Sequence, residues 1–166
     1  MRISQILFFI NKSLAQDDFF GDFSSVEETR GSHLRNLLGE VLNAVGSEHE
    51  ADSFFEYGCW CFSSPRANRH DFTKGRSQPV DEIDRVCRDI AYCHMCLAID
   101  FDEKCDFYQE YNYTITNGGM ECVETENSCA WAACQCDKNF ITQITEKEGL
   151  WDARNNVRGG FVTGLF

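Results

Sequence analysis

Tyr57-Gly58-Cys59-Trp60-Cys61, then Val86-Cys87-Arg88-Asp89-Ile90-Ala91-Tyr92-Cys93-His94-Met95-Cys96, then Ser128-Cys129 and, four residues on, Cys134-Gln135-Cys136-Asp137 are the segments that decide the fold. The middle one lies on a helical pattern running from about Pro79 to Ala98. Its buried stripe is Ile83, Val86, Cys87, Ile90, Ala91, His94, Leu97 and Ala98, the spacing of one core-facing side. Pro79 suits the first turn, and Asp81 and Glu82 favour the positive end of the helix dipole. A further helix is expected over roughly Glu126 to Thr145. Between the two, Tyr111, Tyr113 and Ile115 alternate with Asn112, Thr114 and Thr116, and Asn117-Gly118 is a hairpin turn signal. Asn112-Tyr113-Thr114 is also an N-glycosylation sequon.

All ten cysteines fall between Cys59 and Cys136, an even count in 166 residues that implies a disulfide framework formed in an oxidising compartment. The 15 Lys+Arg against 27 Asp+Glu leave a net charge of −12. That sign repels phosphate backbones and anionic membrane faces, so nucleic acid is excluded as a partner and electrostatic membrane docking is disfavoured. A hydrophobic content of 43%, with 14 Phe, is enough to build a core.

Outward from these segments, residues 1–15 read as a signal peptide, with Arg2, the apolar run Ile3 to Ile10, and Ser13-Leu14-Ala15 as a cleavage site. No run approaches the ~18 apolar residues of a membrane-spanning helix, so a secreted, extracellular protein is expected. Residues 16–31 are acidic and read as a leader or propeptide. From Ser32, Leu34, Leu37, Leu38, Val41, Leu42 and Val45 recur at helical spacing until Gly46. Residues 62–78 read as a polar loop. The tail, 146–166, is expected to fray after Gly149.

This order of motifs resembles the secreted phospholipase A2 family over about residues 32–145. That family has a Y-G-C-Y-C-G-x-G-G loop, a C-C-x-x-H-D-x-C-Y helix, a two-stranded wing and an S-C-x-x-x-x-C-x-C-D helix. The resemblance implies a mainly α, disulfide-stapled fold: two long antiparallel helices, a short N-terminal helix and a small β-wing. It also implies the pairs Cys61–Cys87, Cys93–Cys136, Cys105–Cys129 and Cys122–Cys134. The family's usual C-terminal partner of Cys59 is absent, which leaves Cys59 and Cys96 to pair with each other or with another chain. Val86 and Gln143 replace both halves of a further family disulfide.

In such enzymes a histidine activates water for attack on the sn-2 ester, and the adjacent aspartate holds calcium. Registering Cys87 and Cys93 on the family helix puts Ile90 and Ala91 at those two positions. An isoleucine accepts no proton and an alanine ligates no hard cation. Phe62, followed by Ser63, Ser64 and Pro65, stands where the glycine-rich calcium loop would run, so no specific calcium site and no metal cofactor are expected. His94, Tyr111 and Asp137 fall where the family keeps a buried hydrogen-bond network. Trp60, Phe62, Ile90 and Ala91 are expected to line an apolar groove.

Three other chemistries compete. His70-Asp71 sits in the polar loop and reads as a solvated dipeptide. Cys93-x-x-Cys96 with Cys134-x-Cys136 has zinc-like spacing, but disulfides consume such thiols in an exported chain. A relocated His94–Asp137 dyad would make the chain an active calcium-dependent phospholipase A2, with calcium as its cofactor. The preferred reading is a non-enzymatic homologue that binds a lipid or fatty acid, an extracellular protein, or mineral through loosely gathered calcium in the manner of otoconin-type proteins. A third possibility is an unrelated disulfide-rich scaffold.

Overall fold

The computed structural model describes residues 21–61, 77–101, 105 and 109–156, with the backbone alone for 21–32. Among the described residues, three α-helices and one hairpin, with short 3-10 turns between and after them, make up the architecture: α1 (Gly21–Val45), α2 (Glu82–Asp100), β1 (Tyr113–Thr116), β2 (Gly119–Cys122) and α3 (Cys129–Lys147). Disulfides Cys61–Cys87, Cys93–Cys136, Cys105–Cys129 and Cys122–Cys134 staple them, the four pairs implied by the resemblance.

The long helix α1 begins within the stretch read as a leader, well before the apolar stripe that announced it. No proline separates residues 21 and 34, and extending a helix already nucleated costs little per residue. Leu34, Leu37, Leu38, Val41 and Leu42 are buried, whereas Val45, expected on the same stripe, is exposed because the helix stops there. Gly46 takes a left-handed φ of 75°. The Ser47 N–H donates to the Leu42 carbonyl at 2.9 Å, and the Gly46 N–H to the Asn43 carbonyl at 3.2 Å, which closes the helix end.

α2 starts after Pro79 rather than at it. Asp81 is the extended N-cap, and its carboxylate accepts the Asp84 N–H at 2.9 Å, so the proline stays outside the first turn. The buried face is the expected one with two differences: Ala98 is exposed, and Asp84 joins the buried residues. α3 is capped by Ser128, whose hydroxyl accepts the Trp131 N–H at 3.1 Å. α2 and α3 pack antiparallel: Cys105–Cys129 ties the end of α2 to the start of α3, while Asp81, before α2, meets Asn155, beyond α3.

The wing is antiparallel, with Tyr113 opposite Cys122 and Thr116 opposite Gly119. Asn117 and Gly118 both have positive φ, 53° and 76°, the turn that the Asn-Gly dipeptide favours. The main core runs through α1, α2, α3 and the segment 51–57, with Phe54, Phe55 and Tyr57 fully buried in it, and a smaller cluster gathers Leu97, Cys105, Ala133 and Cys136.

The described part of the tail does not fray. Trp151 donates to the Ser53 carbonyl and Asn156 pairs with Tyr57 as an isolated bridge, while the Gly58 N–H donates to the Asn155 carbonyl at 2.8 Å. Backbone pairing and the half-buried Trp151 hold residues 151–156 against the loop that precedes α2.

Candidate functional site

The paired central helices bring three of the predicted polar residues together. His94 on α2 and Asp137 on α3 are buried, and His94 Nε2 lies 2.8 Å from Asp137 Oδ1. The Tyr111 hydroxyl, just ahead of the wing, donates to the other carboxylate oxygen, Oδ2. The Cys93–Cys136 bridge is adjacent in sequence to both His94 and Asp137 and fixes the helix register that makes this contact. His33 of α1 packs edge-on to Tyr111, with ring centroids 5.7 Å apart. The outcome is a brace joining α2, α3 and the base of the wing. The His94 side chain is only 3% exposed, so this pair has little surface from which to meet a substrate.

One turn before His94, Ile90 and Ala91 are 3% and 1% exposed, and Ile90 belongs to the main core. Of the groove residues, Trp60 is half-buried, its ring 5.7 Å from Tyr92 and its Nε1 donating to the Ser77 carbonyl at 2.9 Å. Phe62 lies outside the described residues, as do Ser63 to Pro65 and His70-Asp71.

Sequence reasoning passed over the carboxylate that organises the approach to this region. Asp84 is fully buried and accepts the N–H groups of Cys59 at 3.0 Å, Trp60 at 2.7 Å and Val80 at 3.0 Å. Burial pushes its carboxyl pKa up, and the backbone N–H bonds from Cys59, Val80, Trp60 and Cys61 oppose that rise. Gly58 makes the close approach feasible. Its φ is +60°, and a Cβ there would sit 2.3 Å from Asp84 Cγ. The signal was in the sequence: Asp84 precedes Ala91 by two helical turns, on the edge of the buried stripe.

A second overlooked cluster joins Tyr57, Asp81 and Asn155. The Tyr57 hydroxyl donates to Asp81 Oδ2, and Asn155 Nδ2 donates to the same oxygen at 2.8 Å. Burial first, and the Asp81 bond second, push the Tyr57 pKa up to about 12.

Cys59 and Cys96 are both free, so of the two outcomes left open for them, a bridge to each other does not form. Cys59 is tied to Asp84 near the start of α2, and Cys96 is exposed near its end. The intervening stretch of helix rises about 18 Å, far beyond disulfide reach.

The family model described as phospholipase A2 matches residues 36–150. The group IIF secretory phospholipase A2 of Mus musculus is 32% identical over 140 residues, 82% of this chain and 73% of its own length. Its Homo sapiens counterpart is 32% identical over 128 residues, covering 72% of this chain and 68% of its own. The acidic phospholipase A2 homolog of Bungarus fasciatus is 32% identical over 85 residues, 51% of this chain and 63% of its own length.

Proposed function

The chain belongs to the phospholipase A2 family, and from that premise we propose that it is a secreted, non-enzymatic module of the family, acting by binding a lipid, a matrix component or a protein. The observation that carries the reading is the burial of Ile90 and Ala91 one turn before the His94–Asp137 brace. On the family register these positions belong to the general base and the calcium-binding carboxylate. Two core aliphatic side chains can neither take a proton from water nor hold a cation there.

The described residues do not fit a calcium centre. Ala91 offers a methyl group where a carboxylate would be needed, and Asp84 is turned onto backbone N–H groups. What the residues do instead is structural: Asp137 accepts from Tyr111 and pairs with His94, and Asp84 folds the Cys59–Trp60 turn against α2. The net charge of −12 accords with an acidic extracellular role rather than attack on anionic membranes. Among the described residues no helix is long and apolar enough to cross a membrane.

The experiment is hydrolysis of the sn-2 ester in mixed micelles with calcium present. No turnover is expected. The 2.8 Å His94–Asp137 contact gives the opposing reading its one foothold, an active enzyme with relocated groups. Turnover that disappears in His94→Ala would establish that alternative and overturn the proposal. The double variant Ile90→His with Ala91→Asp is expected to stay silent, because the loop after Cys61 lacks the glycines whose carbonyls would hold the ion.

A further inference from the structure

Asn112-Tyr113-Thr114 opens the wing, and the lipid-module reading makes no use of it. Along this segment Asn112, Thr114 and Thr116 are exposed, while Tyr111, Tyr113 and Ile115 alternate with them as half-buried residues against the core. The sequon's asparagine and its threonine therefore share the outward face of the hairpin. Asn112 is also held in place. Its backbone N–H and its Nδ2 both donate to Glu124 Oε1, at 2.6 and 2.7 Å, and its carbonyl accepts the Val123 N–H at 3.1 Å.

A carboxamide nitrogen carries two hydrogens, and one of them satisfies Glu124. Replacing the other with a sugar leaves that clamp intact, so the folded wing accommodates the modification without losing a hydrogen bond. Asn-x-Thr with a residue other than proline in the middle is the acceptor pattern for N-linked oligosaccharide in exported chains. We propose that Asn112 is N-glycosylated, with the glycan standing on the outer face of the wing.

The transfer balances with a lipid-pyrophosphate-linked oligosaccharide as donor. Asn112 Nδ2 forms a bond to the anomeric carbon, the bond from that carbon to the pyrophosphate oxygen breaks, and one Nδ2 proton is released. The lipid pyrophosphate leaves with the electron pair, and nothing is oxidised or reduced. The inference is independent of whether the module hydrolyses lipid. The other triplet of this type, Asn11-Lys12-Ser13, lies in the stretch read as a signal peptide, outside the described residues.

The test is expression of the full chain in a eukaryotic secretory host, with intact mass measured for secreted and cell-retained protein before and after an amidase that releases N-glycans. The expected result is a loss of mass on release, with aspartate at position 112 in the peptide map. Asn112→Gln and Thr114→Ala should each abolish the shift, and Thr114→Ser should retain it. Thr114→Ala leaves the Asn112–Glu124 clamp untouched, so its result stands even if Asn112→Gln folds poorly. An unmodified chain, or a shift that survives in Thr114→Ala, overturns the assignment.

Discussion

Replacing Asp137 with alanine should be the most costly single change in the buried network, and its size follows from what the carboxyl group holds. Asp137 is fully buried, pairs with His94 at 2.8 Å and accepts the Tyr111 hydroxyl on its other oxygen. A hydrogen bond to a charged group contributes about 1.5–3 kcal/mol, so two are worth roughly 3–6 kcal/mol. Breaking one side of a buried polar pair gives a similar figure, about 3–5 kcal/mol. Domains of this size hold about 5–15 kcal/mol in total, so Asp137→Ala should remove a large fraction of the stability even with every disulfide intact.

The graded variants make the estimate specific. Tyr111→Phe deletes one bond and keeps the ring that packs on His33, so about 1.5–3 kcal/mol is expected. Asp137→Asn retains one acceptor and should fall between these two. Urea unfolding under non-reducing conditions, read by near-ultraviolet circular dichroism, gives each value. The Tyr111→Phe and Asp137→Ala pair closes a double-mutant cycle with a coupling expected at about 1–3 kcal/mol. A cost below about 1 kcal/mol for Asp137→Ala, or a coupling near zero, would refute the brace and reopen a chemical role for the pair.

Tyr57 should govern alkaline stability. Its folded pKa stands at about 12 against 10.0 ordinarily, so its contribution is complete below pH 10 and is lost as pH rises towards 12. With screening allowed for, the loss is roughly 1–2 kcal/mol, and Tyr57→Phe should flatten the slope of melting temperature against pH in that window. Gly58→Ala would force alanine into a left-handed backbone and drive its Cβ onto Asp84, at a cost of about 2–4 kcal/mol visible as lowered secretion or a lowered melting point. Alkylation of the native protein should label Cys96 first and Cys59 more slowly, leaving the bridged cysteines unlabelled by mass mapping; equal protection of both would contradict their free state.

Much of the fold was legible because its signals are local and periodic. The leucine stripe of α1 and the apolar face of α2 repeat every three to four residues, as a helix buried on one side must. Asn117-Gly118 announces its hairpin through backbone conformations that few other dipeptides adopt cheaply. The bridges followed from family resemblance rather than from spacing, which on its own leaves many pairings open. What escaped notice depends on partners distant in the chain. Asp84 looks like a helix-start carboxylate until Cys59 and Trp60 turn their N–H groups onto it. Asn155 sits in a tail without cysteine, and only the folded chain brings it to Asp81 and Tyr57. The start of α1 escaped for the opposite reason: a helix extended from a buried segment needs no apolar signal of its own.

The contrast within one face of α2 bears most directly on function. His94 has a partner across the interface and is spent on it, while Ile90 and Ala91, one turn earlier, are packed as hydrocarbon. A catalytic histidine must keep an imidazole nitrogen open towards substrate, and that opening costs burial. A brace has no such requirement and can close. On the proposed reading, giving up catalysis lets this scaffold bury two further aliphatic side chains, about 1.5–3 kcal/mol for Ile90 and about 0.8 kcal/mol for the Ala91 methyl by transfer from water. Restoring Ile90→His should therefore destabilise the chain as well as fail to activate it. A variant that melted no lower than the parent would show that position 90 still has the room an active site needs, and the non-enzymatic reading would lose its main support.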